Sequence, residues 1–97
     1  MIIQGFFAII PRKIKERGIM WWYIKKVVDT DKYVIYAYGL ETREVSGQIR
    51  FDRKTEEFEC LKLADGDTER GYEYLLPHLY RAIVRDGAPN EKQIAIG

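Results

Sequence analysis

The chain reads as an α+β protein: an antiparallel sheet of four strands with a fifth short stretch able to join it, a C-terminal amphipathic helix on one face, and an N-terminal helix or segment on the other. Three observations predict this class. Residues 21–63 are dense in β-branched and aromatic side chains and are broken only by short polar turns. Short connections favour antiparallel neighbours, because parallel pairing requires a crossover of about a dozen residues. Residues 67–86 carry an apolar stripe at helical spacing.

Taken in order, the first segment is the least regular. Phe6, Phe7, Ile10 and Ile14 recur at helical spacing and Gly18 is a plausible stop, so a strand or coil at 2–4 and a helix near 7–17 are expected. Pro11 opposes that helix, since it removes a hydrogen bond and crowds the preceding turn. Residues 1–19 also read as an extension, because translation from Met20 would leave the strand pattern intact.

Trp21–Val28 and Tyr33–Leu40 read as strands joined by the polar turn Asp29-Thr30-Asp31-Lys32. In the first, Trp22, Ile24 and Val28 share one side and Trp21, Tyr23 and Val27 the other. In the second, Tyr33, Ile35 and Ala37 oppose Val34, Tyr36, Tyr38 and Leu40. Val45–Asp52 alternates cleanly, with Val45, Gly47, Ile49 and Phe51 on one side. Residues 52–56 make a hairpin in which Asp52 and Thr55 can bond local backbone, and Glu57–Leu63 follows as the fourth strand.

The helix stripe runs through Tyr72, Leu75, Leu76, Leu79, Tyr80, Ile83 and Val84. Asp67 or Thr68 is placed to cap its start, and Gly87 to adopt the left-handed stop before Pro89. Pro77 falls inside the stripe and is expected to kink the helix or split it. Residues 92–97 read as a tail or an edge strand, with Gln93–Ile96 as its apolar part.

Neither of the first two strands is polar on one side, the pattern of strands covered on both faces. The helix supplies one cover and the N-terminal segment is the expected second. Burying Ile2, Ile3, Phe6, Phe7, Ile9 and Ile10 is worth about 1.5–3 kcal/mol each. That surface is therefore expected to dock on its own sheet, on another copy, or on another protein.

Composition narrows the function classes. The 97 residues, 46% hydrophobic and 32% charged, describe an ordinary globular protein, expected to form a single domain over 1–97. A net charge of +1 gives the chain as a whole no general attraction to polyanions. The charge is uneven, however. Residues 1–26 hold six Lys/Arg and one acid (+5), and residues 27–97 hold ten Lys/Arg and fourteen acids (−4). One cysteine and one histidine exclude an internal disulfide and a Cys/His zinc cluster, so no metal, no cofactor and no catalytic set is expected. Cys60 shares strand parity with Phe58 and reads as a buried inert thiol; His78 falls off the helix stripe and reads as a solvated imidazole. Asp65, Asp67 and Glu69 fit helix capping better than a calcium loop, whose spacing they miss. The apolar run at 1–10 is shorter than the roughly 18 residues that span a bilayer, and the cations follow it rather than precede it as in a secretory signal, so a cytoplasmic location without a membrane span is expected.

The resulting expectation is a non-catalytic protein-interaction module of the adaptor, accessory-subunit or immunity/antitoxin-like kind, binding a protein partner or a second copy of itself. Its contact residues are expected among Phe6, Phe7, Trp21, Trp22, Tyr36 and Tyr38. The alternative is single-stranded nucleic-acid binding through the basic and aromatic segment 12–26, with Arg12, Lys13, Lys15, Arg17, Lys25 and Lys26 on phosphates and tryptophans under the bases. A carboxylate-based enzyme is the third reading and has the least support.

Overall fold

The computed structural model describes residues 20–96. The expected N-terminal helix, its place over the sheet, and the contact residues Phe6, Phe7, Arg12, Lys13, Lys15 and Arg17 lie outside the described residues.

Five strands and one helix follow in the order β1 (Met20–Asp29), β2 (Tyr33–Leu40), β3 (Gly47–Asp52), β4 (Phe58–Lys62), α1 (Glu69–Val84) and β5 (Glu91–Ile96). The sheet order is β4-β3-β2-β1-β5, antiparallel throughout. The fourth and fifth strands sit at opposite edges, and the helix makes the connection between them.

Local chemistry explains the first four strands. In the first turn, the Thr30 hydroxyl accepts the Lys32 and Tyr33 amides at 3.1 and 3.0 Å. In the second, the Asp52 carboxylate accepts the Lys54 and Thr55 amides at 2.9 and 3.0 Å, which closes the hairpin as expected. Both turns exchange water for internal partners on otherwise orphaned backbone donors.

One face of the sheet packs on α1. Trp22, Ile24, Val34, Tyr36, Tyr38, Ile49 and Phe51 meet Tyr72, Leu75, Leu79, Ala82 and Ile83 in the core. The parity expected for β2 and β3 is the parity observed. In β1 it fails after Lys26: the register with β2 shifts between Lys26 and Val28, so Val28 pairs with Ile35 on the far side of the sheet. A bulge inserts one unpaired residue and so reverses the alternation beyond it. Val27, the inserted residue, is 53% exposed.

The helix begins at Thr68, whose side chain accepts the Gly71 amide at 3.1 Å. Leu76 and Tyr80 flank the core only partly buried, and Val84 is exposed, so the stripe is narrower than its sequence spacing implies. The helix runs unbroken through Pro77, which excludes a split. Pro77 and Glu73 are both exposed, so the Glu73 carbonyl that lacks an amide donor opens to water. The helix then ends at Arg85 and Gly87 takes φ 80°, the left-handed stop expected of it.

The path of α1 decides where β5 goes. The helix starts beside Trp22, which donates its indole N–H to Asp67, and ends beside Lys26, whose ammonium donates to the Ala88 carbonyl. It therefore carries the chain back along the strands. β5 then enters from the Asp29 end and runs antiparallel to β1, with Trp22 opposite Ile94.

Candidate protein-interaction surfaces

Three of the six expected contact residues are core residues. Trp22 is 0% exposed, Tyr36 1% and Tyr38 0%, and each is held by a polar bond as well as by packing. Trp22 bonds Asp67 at 3.2 Å, Tyr36 donates its hydroxyl proton to the Pro89 carbonyl, and Tyr38 accepts the Ala64 amide at 3.1 Å. Aromatic bodies with a polar tip suit a core that has one partner for each tip. These side chains are enclosed within the chain, where they hold the sheet to the helix and to the segments that flank it. Burial pushes the Tyr36 and Tyr38 phenols up to about 12.

The far face of the sheet is where the remaining candidates gather. Trp21, Tyr23, Lys25 and Val28 of β1 stand beside Tyr33, Ile35 and Ala37 of β2 and Gln48 and Arg50 of β3. Trp21, Val28, Tyr33 and Ile35 are half-buried, and among the described residues no helix or strand lies over them. The Arg43 guanidinium sits 4.7 Å above the Tyr23 ring, and that of Arg50 sits 4.8 Å above the Tyr33 ring. Glu59 stands opposite Arg50 at 3.8 Å, and Glu91 opposite Lys25. The face thus has an aromatic and aliphatic centre with charges of both signs around it, an arrangement found at protein interfaces.

Lys25 is exposed on this face. Lys26, expected beside it on phosphates, is instead a structural cation. Its ammonium bonds Asp29 at 2.9 Å and the Ala88 carbonyl at 3.0 Å, and so ties β1 to the end of the helix. Hydrogen bonds from Lys26 and then Arg53 hold the Asp29 carboxyl below its usual range.

A second surface lies at the β5 edge. A cavity of about 240 Å³ opens between α1 and β5, lined by His78, Arg81, Asp86 and Lys92 and by residues 93–95. Lys92 pairs with Asp86 at 3.0 Å, and Ile94 is buried against the core. Sequence reasoning assigned His78 to open solvent and did not identify this groove, because the groove exists only once β5 docks beside β1. The available signal was the alternation of Lys92, Ile94 and Ile96.

Among the described residues, the thiol and the imidazole stand apart. Cys60 is half-buried on β4 rather than enclosed, burial pushes its thiol up, and His78 lines the groove at the opposite edge of the sheet. Ser46 accepts the Asp65 amide at 2.7 Å. Among the described residues, no three His, Cys, Asp or Glu side chains stand close enough to share a metal ion. No helix among them is long and apolar enough to cross a membrane. No protein family, curated protein or solved structure matches this chain.

Proposed function

We propose that the protein is a non-catalytic protein-interaction module whose far sheet face docks a partner protein. The observation that carries this reading is the apolar centre of that face, Trp21, Tyr33, Ile35 and Val28, ringed by Lys25, Arg43, Arg50, Glu59 and Glu91. The fitting partner offers an apolar patch bordered by charges of both signs. Burying such a centre supplies affinity, and the ring supplies register.

The reading is tested with the full chain as bait, wild type against Ile35→Lys. Ile35 is half-buried and points away from the core, so the substitution alters the face without emptying the interior. A protein retained by the wild type and released by Ile35→Lys supports the reading. Equal capture by both, together with a monomer by light scattering at every concentration, overturns it.

The nucleic-acid alternative keeps Trp21 and Lys25 and loses Trp22 and Lys26 to structural roles. It requires salt-sensitive quenching of Trp21 fluorescence by a single-stranded oligonucleotide. The partner reading expects none.

A further inference from the structure

The two edges of the sheet are not equivalent. The β4 edge is interrupted by a register shift between Gln48 and Ile49 and bordered by Glu57 and Glu59, features that discourage strand addition. β5 pairs with β1 without any shift. The Asn90 carbonyl accepts the Lys26 amide at 2.7 Å, which sets the phase of this ladder. Neighbouring residues of an antiparallel strand send their backbone groups to opposite sides. Lys92 and Ile94 therefore bond β1, and Glu91, Gln93 and Ala95 turn their N–H and C=O groups to the outer edge.

The groove lies along that edge. It touches Lys92, Gln93, Ile94 and Ala95 in succession, and four consecutive residues can line one cavity only where it meets the strand's backbone side as well as its side chains. Its other wall is the helix, through His78 and Arg81. Arg81 and Lys92 against Asp86 leave the groove net positive, with His78 beside them.

We infer that the β5 edge is a strand-addition site for an extended acidic peptide segment of another protein. The incoming backbone pairs with Gln93 and Ala95, and its alternate side chains enter the groove, where a carboxylate meets Arg81 and an apolar group meets Ile94. This site is separate from the far sheet face and does not depend on it.

The test is a titration of the isotope-labelled full chain, followed by amide chemical shifts. The probe is a capped hexapeptide in which threonines alternate with glutamate, valine and glutamate in turn, so that its groove-facing side offers both a carboxylate and an apolar group. Saturable shifts centred on the Gln93 and Ala95 amides, with a Kd below about 1 mM, are expected. Methylating alternate backbone nitrogens of the peptide, or exchanging its glutamates for lysines, should weaken binding at least about tenfold. On the protein side, Gln93→Pro removes an outward N–H and spares the ladder to β1, a position where an edge strand tolerates proline. It should weaken binding to the same extent, as should Arg81→Glu, whereas Gln93→Ala should not.

Absence of shifts at about 1 mM peptide, or shifts located elsewhere, overturns the inference. So does equal binding of the methylated or the lysine peptide, two arms that leave the protein unaltered should Gln93→Pro fail to fold. A concentration-dependent dimer that protects the β5 amides and excludes the peptide would assign the edge to a second copy and equally overturn it.

Discussion

Trp22 of β1 and Asp67, one residue before the helix cap, are joined by an indole-to-carboxylate hydrogen bond of 3.2 Å across a sequence separation of 45 residues. Asp67 also accepts the Thr68 amide at 2.7 Å, so one side chain links the centre of the sheet to the start of the helix. Asp67→Ala leaves the buried indole N–H without its partner and is expected to cost about 1–3 kcal/mol in denaturant unfolding. In a Trp22→Phe background the same substitution should cost less. Equal costs in both backgrounds would show that the bond contributes nothing.

The buried tyrosines predict alkaline sensitivity. Tyr36, Tyr38 and Tyr72 are each pushed up to about 12 from an ordinary value of 10.0, chiefly by burial. A raised folded pKa means the unfolded chain gives up its proton first. The stability these residues contribute is thus whole below pH 10 and declines as pH climbs from there towards 12, by about 1.4 kcal/mol per unit for each group. Phenolate absorbance of these three should appear together with loss of near-ultraviolet dichroism. Tyr72→Phe should make the decline shallower. A folded protein with all phenols titrating near 10 would contradict this.

Gly47 is a packing requirement rather than a turn requirement. A Cβ placed there would stand 2.5 Å from the Ala64 amide nitrogen and 2.9 Å from its Cα, against backbone that cannot yield alone. The ring of Tyr38 is in contact as well. Gly47→Ala is expected to destabilise by about 1–3 kcal/mol or more. Gly66→Ala, where φ is 82° and no atom lies within 4 Å, should cost about 1 kcal/mol, from backbone strain alone. Thermal unfolding of the two variants ranks them directly.

Pro77 sits at an exposed position inside α1. Pro77→Ala restores the amide donor to the Glu73 carbonyl and removes the ring's clash with that turn. A gain of about 1–3 kcal/mol is expected, with the upper bound set by the interior cost of proline. An unchanged or lowered midpoint would mean that the fold makes use of the proline's shape.

Much of this architecture was legible in the chain. The polar turn at 29–32, the turn chemistry of Asp52, the alternation of β2 and β3, the helix stripe from Tyr72 to Ile83 and the left-handed Gly87 are all local, each set by residues within a few positions of one another. The inward or outward role of the aromatics was not. Trp21 and Trp22, or Tyr33 and Tyr36, carry equal hydrophobicity, and sequence alone offers no rule for which side the helix will cover. The bulge at Val27 was equally hidden, since it is a mismatch between two strands and belongs to neither by itself.

By its own local preferences the chain determined four strands, a capped helix and a last stretch able to be either a tail or a fifth strand. Tertiary structure decided the rest: that β5 lies beside β1, that Trp22, Tyr36 and Tyr38 are spent on the core, and that a groove opens between α1 and β5. The physical reason is one of range. Periodicity and capping act over one or two turns of chain, whereas strand order and exposed surface follow from where a helix about 24 Å long sets the chain down again.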